Sequence, residues 1–198
     1  QPGSAFKPFI YALALENNYT PSSLILDAPI VLNQGEDLKM WKPENYGKKF
    51  YGLSTLRTGV EKSRNLMTVR LANRIGMNKI LSMANNFDIN EGLDENLSMS
   101  LGSGVVTLIE LTKAYAIIAN GGKKIEPKLI TSIYSKDGNK IYDTRLKKCF
   151  ECRIQTILSK NEIPKLEENK NIIIDPRLTY QITSMMEGVI KRLSLIHI

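Results

Sequence analysis

Cysteine, histidine and tryptophan are nearly absent from this chain: of 198 residues, two are Cys, one is His and one is Trp. The two thiols, Cys149 and Cys152, lie in a single Cys-Phe-Glu-Cys step. With one distant histidine, His197, they cannot complete a four-ligand zinc centre. A thioredoxin-like redox pair needs a strand-to-helix setting, whereas this pair follows a hairpin in a polar stretch. We expect either a local disulfide, in an oxidising compartment, or two idle thiols. No metal and no cofactor is expected. Long apolar runs are missing too. Nothing approaches the roughly 18 consecutive apolar residues of a membrane span, and no signal peptide is recognisable. The chain opens on Gln1 rather than Met, so we expect an internal fragment whose targeting segment, if any, lies elsewhere.

An excess of acidic residues is also lacking; the net charge is +7. A nucleic-acid partner would require that charge to be gathered on one face. The lysines are instead scattered through every segment, with no arginine-rich run and no aromatic–basic alternation. They read as a solvated basic surface, and no nucleic acid is expected as a partner. The apolar fraction of 42% suffices for a packed core, and the length suits one domain or a large part of a bigger one.

What is present begins at the first residue. Gln1-Pro2-Gly3-Ser4-Ala5-Phe6-Lys7-Pro8 sets a Ser and a Lys three apart where a glycine-containing loop enters an apolar segment. Residues three apart on a helix share a face, so the Ser4 hydroxyl and the Lys7 amine can come together. A serine hydroxyl becomes nucleophilic when a neighbouring base takes its proton, and a desolvated lysine is such a base. The layout suits acyl transfer through an acyl-serine. Ser-x-x-Lys alone is common, and its plain alternative is an N-cap serine followed by a solvated lysine.

Periodicity predicts a helix over Pro8–Glu16, apolar nearly all round and therefore central, ending at Asn17-Asn18. Residues 20–53 read as a loop-rich excursion with one short strand at Ile30–Leu32. Trp41, among Pro, Asn and Gly, suits either a cleft wall or a surface loop anchored by its ring. Ser54 or Thr55 can cap a helix through Val60, and a break at Lys62–Asn65 leads into helices over Leu66–Ile75, closed by Gly76, and Met77–Phe87. Thr107-Leu108-Ile109-Glu110 is a capping box opening a helix to Ala119. Leu129–Ser135 and Lys140–Asp143 flank Asp137-Gly138 as a hairpin. Residues 145–171 form a polar insertion, followed by a short strand at Ile172–Ile174, a turn at Asp175-Pro176 and a helix over Leu178–Ile190.

The break contains Ser63-Arg64-Asn65. Its hydroxyl can relay protons beside a lysine, and its amide can both donate to and accept from a peptide bond. A second copy, Ser159-Lys160-Asn161, lies in the polar insertion with no rigid elements around it.

Ser-x-x-Lys followed by Ser-x-Asn belongs to the signature of penicillin-binding proteins and serine β-lactamases. The chain resembles the transpeptidase domain of class A, bifunctional penicillin-binding proteins. The likeness also covers Trp41-Lys42-Pro43-Glu44-Asn45-Tyr46, Thr55-Leu56-Arg57, Leu101-Gly102-Ser103-Gly104, Thr112–Ala116 and Ala119–Gly122, in order, over residues 1–192. The resemblance implies an α/β fold, a helical cluster packed on an antiparallel sheet, incomplete here. It implies Ser4 as nucleophile, Lys7 as general base and Ser63 as proton relay. It makes Asn65 a substrate partner, with Trp41 and Asn45 also placed against substrate. The implied reaction is D,D-transpeptidation of peptidoglycan stem peptides, with β-lactams acylating the same serine. A periplasmic site on the bacterial inner membrane, through an N-terminal anchor outside this chain, is implied as well.

The family's third motif, Lys-Thr/Ser-Gly, is not found after the last helix, and Arg57-Thr58-Gly59 is a lookalike inside a helical pattern. Residues 193–198 match nothing in the family pattern, and His197 within them is read as incidental. We therefore expect a fragment that is inactive by itself. A serine β-lactamase or β-lactam sensor, and a non-catalytic remnant, are the alternative readings.

Overall fold

The computed structural model describes residues 1–33, 40–89, 92–144 and 171–192. The insertion over 145–170 with Cys149 and Cys152, the second Ser-x-Asn copy and the terminal 193–198 lie outside the described residues.

Helix α1, Lys7–Glu16, is the central element, as its all-round apolarity requires. Phe9, Ile10, Tyr11 and Ala14 are fully enclosed. Ten residues are too few for a stable helix in water, so burial holds it, at about 1.5–3 kcal/mol for each large apolar side chain. It ends at the expected asparagines: Asn17 returns its side-chain amide to the Leu13 carbonyl at 2.8 Å, and Asn18 takes a left-handed φ of 66°.

Around α1 pack α2 (Leu56–Glu61), α3 (Asn65–Ile75), α4 (Met77–Asn86) and α6 (Pro176–Arg192). Thr55 is the cap of α2, accepting from Thr58 N at 3.2 Å. Gly76, at φ 95°, ends α3 and starts α4 in one residue. The Thr107–Glu110 capping box forms in full and opens α5, Leu108–Ala119. Helix α6 is longer than its apolar spacing predicts. Pro176 stands at its first position, where a missing N–H costs nothing, so the expected turn is the helix start.

The extended segments depart most from expectation. Strand β1 (Leu24–Asp27) pairs antiparallel with β2 (Gly52–Thr55) inside the stretch read as loop. Its inward residues are Ile25 and Asp27, with Leu24 and Leu26 outside. A carboxylate on the buried face hides the period-two signal. Ile30–Leu32 is no strand; Leu32 makes only an isolated bridge to Trp41. The hairpin forms at Asp137-Gly138 from β3 (Ser132–Tyr134) and β4 (Lys140–Asp143), shorter than expected at its first strand. Ile172 makes only an isolated bridge to Lys123. Among the described residues the fold is thus a helical cluster with two two-stranded antiparallel sheets.

Polar contacts join α2 to the middle and the far end of α6. The buried Glu61 carboxylate is gripped by Arg192, whose Nε lies at 2.9 Å, and Arg57 donates to the Ser184 carbonyl at 3.1 Å. Arg57-Thr58-Gly59 therefore lies within a helix, not on a sheet strand.

Candidate active site

Ser4 stands one turn ahead of α1, in a 3-10 turn over Gly3–Phe6, not on the α-helix itself. Residues three apart eclipse in such a turn, which still brings Ser4 and Lys7 to one side. The turn is held from outside. Gly3 N donates to Gly102 O at 3.1 Å, and Tyr115 Oη donates to Ala5 O at 2.8 Å. Gly102, at φ 77°, lies so close to Gly3 that a β-carbon there would overlap the Gly3 backbone. Ser4 is exposed, and its hydroxyl has no hydrogen-bond partner among the described residues.

Lys7 is only 3% exposed. Its Nζ donates to Ser63 O at 2.8 Å, Ser63 Oγ at 2.9 Å and Asn65 Oδ1 at 2.6 Å. All three ammonium protons are thereby placed. Burial pulls its pKa down to about 8, so the neutral amine is far more accessible near neutral pH than in an ordinary lysine. No carboxylate is bonded to it, so the charged form gains only neutral acceptors.

Ser63 presents both oxygens to Lys7 from a left-handed backbone, φ 50°, a conformation uncommon outside glycine. Ser4, Lys7 and Ser63 are polar residues in the lining of a pocket of about 400 Å³. Val60, Met186, Val189 and Ile190 add apolar lining, and Tyr115 also lines it. The arrangement can take a proton from a hydroxyl and pass it along a second hydroxyl, in a site that also accepts an apolar group.

Of the remaining sequence candidates, Asn65 joins this group, and Asn45 and Trp41 do not line the pocket. Asn65 lies beside Lys7, its Nδ2 donating to Glu44 O at 2.7 Å. Asn45 is 5% exposed, and its side-chain amide is hydrogen-bonded within the fold. Trp41 is half-buried on its bridge with Leu32 and does not line the pocket. Tyr115 and Gly102 were not singled out as site residues, although both stand in stretches that carry the family likeness. Asp27, buried behind Asn45, had no motif to mark it. Among the described residues no cluster of three His, Cys, Asp or Glu could hold a metal ion. None of their helices is long and apolar enough to cross a membrane.

A buried lysine bonded to the serine and asparagine of a Ser-x-Asn loop, beside an exposed serine, is the set of side chains that acyl-serine chemistry requires. The penicillin binding protein transpeptidase domain model matches residues 1–193, and the chain belongs to that family. Penicillin-binding protein 1A of Rickettsia bellii is 42% identical over 193 residues, which cover 97% of this chain and 24% of that protein. Penicillin-binding protein 1A of Pseudomonas aeruginosa is 33% identical over 97% of this chain and 27% of its own length. The crystal structure of penicillin-binding protein 1A from Haemophilus influenzae superposes with a TM-score of 0.81 at 30% identity, over 96% of this chain and 30% of that one. Penicillin-binding protein A of M. tuberculosis, solved as a ceftriaxone acyl-enzyme complex, shares the fold at 24% identity and TM-score 0.73, covering 96% of this chain and 42% of that one. The chain thus spans about a quarter of the length of the curated relatives it matches.

Proposed function

We propose that this chain supplies the nucleophile, base and relay of a D,D-transpeptidase that cross-links peptidoglycan stem peptides. The observation that carries the reading is the Lys7 amine, 2.9 Å from Ser63 Oγ, in the pocket that Ser4 lines. Ser4 Oγ attacks the carbonyl of the penultimate D-Ala as Lys7 takes its proton. Ser63 relays that proton from Lys7 to the departing amine, so the bond to the terminal D-Ala breaks and that residue leaves. An amine of a neighbouring stem then attacks the acyl-serine and releases the enzyme. Water in place of that amine makes the same site a D,D-carboxypeptidase. Asn65 fixes Lys7 and offers its amide edge to the substrate peptide. A β-lactam ring opens on Ser4 and leaves a stable acyl-enzyme. Residues 1–192 are read as part of the catalytic domain, working on the periplasmic face of the inner membrane in the full-length protein.

The test is labelling of the full-length protein with a fluorescent penicillin, followed by peptide mass mapping. One equivalent of adduct on Ser4, abolished by Ser4→Ala, is expected. Repeated turnover of the drug would make the site a β-lactamase instead, and no adduct would overturn the reading.

A further inference from the structure

Every hydrogen-bonding capacity of the Asn45 side chain is engaged inside the protein. Its Oδ1 accepts from Asn65 N at 2.9 Å and Leu66 N at 3.3 Å. Its Nδ2 donates to Asp27 Oδ1 at 2.7 Å and to Lys49 O at 2.9 Å. We infer that Asn45, oriented by the buried Asp27 carboxylate, is a positioning residue for the acyl-serine reaction, seating the start of α3 so that Asn65 meets Lys7.

The first turn of any helix leaves backbone N–H groups without intrahelical partners. In α3 the cap residue Arg64 makes no side-chain bond to them. Asn45, twenty residues upstream of Asn65, supplies that acceptor from another loop. A primary amide can be reversed, which would turn its NH2 against the helix N–H groups. The Asp27 carboxylate only accepts, so it holds Nδ2 on its own side and Oδ1 on the helix. Asp27 is 0% exposed, and its second oxygen faces Arg64 Nε at 3.8 Å. Arg64 in turn lies 3.4 Å above the Tyr51 ring. The flanking Glu44 carbonyl takes Asn65 Nδ2 at 2.7 Å, which leaves Oδ1 facing Lys7 Nζ at 2.6 Å. Two adjacent residues of one loop therefore set both the backbone and the amide polarity of Asn65. Neither touches the pocket.

This inference rests on the acyl-serine reading, and its test separates the two. In the full-length protein, labelling is followed over a series of fluorescent penicillin concentrations. That resolves the acylation constant k2, the non-covalent binding constant and the fraction of molecules that label. Asn45→Ala is expected to lower k2 by about 10²-fold, the effect of a displacement near 1 Å, in the molecules that do label. A role confined to stability would lower the labelled fraction and leave k2 alone. Asn45→Asp sets two carboxylates together and is expected to be slowed as much. Adding Asp27→Asn to Asn45→Asp returns a donor to β1 and a carboxylate to the helix end, and k2 should recover most of its loss. Wild-type k2 in Asn45→Ala overturns the inference. So does a double exchange that labels no better than Asn45→Asp alone, which decides the matter even if Asn45→Ala fails to fold. Absence of labelling in the unaltered protein would sink the acyl-serine reading itself.

Discussion

Ser63 offers Lys7 two oxygens at once, its carbonyl at 2.8 Å and its hydroxyl at 2.9 Å from Nζ, across 56 residues of sequence. The left-handed φ of 50° at Ser63 turns both toward the amine. Strained backbone of this kind costs about 1–3 kcal/mol and persists where the surroundings enforce it. Only the hydroxyl can relay a proton. Ser63→Ala keeps the backbone contact and should lower acylation by about 10²-fold or more, the usual scale of proton-transfer catalysis. Denaturant unfolding of the variant should stay close to wild type. Wild-type acylation would remove Ser63 from the mechanism.

With Lys7 as the proposed base, that residue should set the pH profile. Its ammonium cannot accept a proton, and burial brings its pKa to about 8. Acylation by a β-lactam should therefore rise with pH, reach half its maximum near that value and fall about tenfold per unit below it. A lysine at its ordinary pKa would place the limb above 10. Stopped-flow labelling over roughly pH 6–9 brackets the limb and distinguishes the two.

Gly102→Ala would drive a β-carbon into the Gly3 backbone at a left-handed φ of 77°. Backbone cannot step aside as a side-chain end can. A loss of about 1–3 kcal/mol is expected from the overlap, with a slower Ser4 because its turn is displaced. Urea unfolding and penicillin labelling measure the two effects. If neither changes, the close approach is not a constraint.

Tyr115→Phe removes one hydrogen bond, to Ala5 O at 2.8 Å, and keeps the edge-to-face contact with Phe9 at a 5.2 Å centroid separation. The cost in stability should be about 0.5–1.5 kcal/mol. Acylation should slow modestly, since Gly102 still holds the other end of the turn. Loss of all acylation with a normal fold would instead give the Tyr115 hydroxyl a chemical role.

The helices were legible because their signals are local. The apolar circumference of α1, Gly76 between α3 and α4, and the Thr107–Glu110 box each act within a few residues. Ser-x-x-Lys and Ser-x-Asn carried the family likeness for the same reason: each is a short stretch whose chemistry survives out of context. β1 was not legible, because its inward alternation ends on Asp27, whose partner Asn45 is brought to it only by folding.

By itself, then, the sequence determined where the helices run, how they are capped and which two short motifs carry the family likeness. Tertiary structure decided the rest. Packing α3 on α1 joined Lys7 to Asn65 across 58 residues. Burial lowered the lysine pKa, turned Asn45 inward to the helix end and kept Trp41 out of the pocket. The reason is physical: a hydrophobic period or a cap is written in neighbouring residues, but desolvation and long-range hydrogen bonds exist only once distant segments have excluded water together.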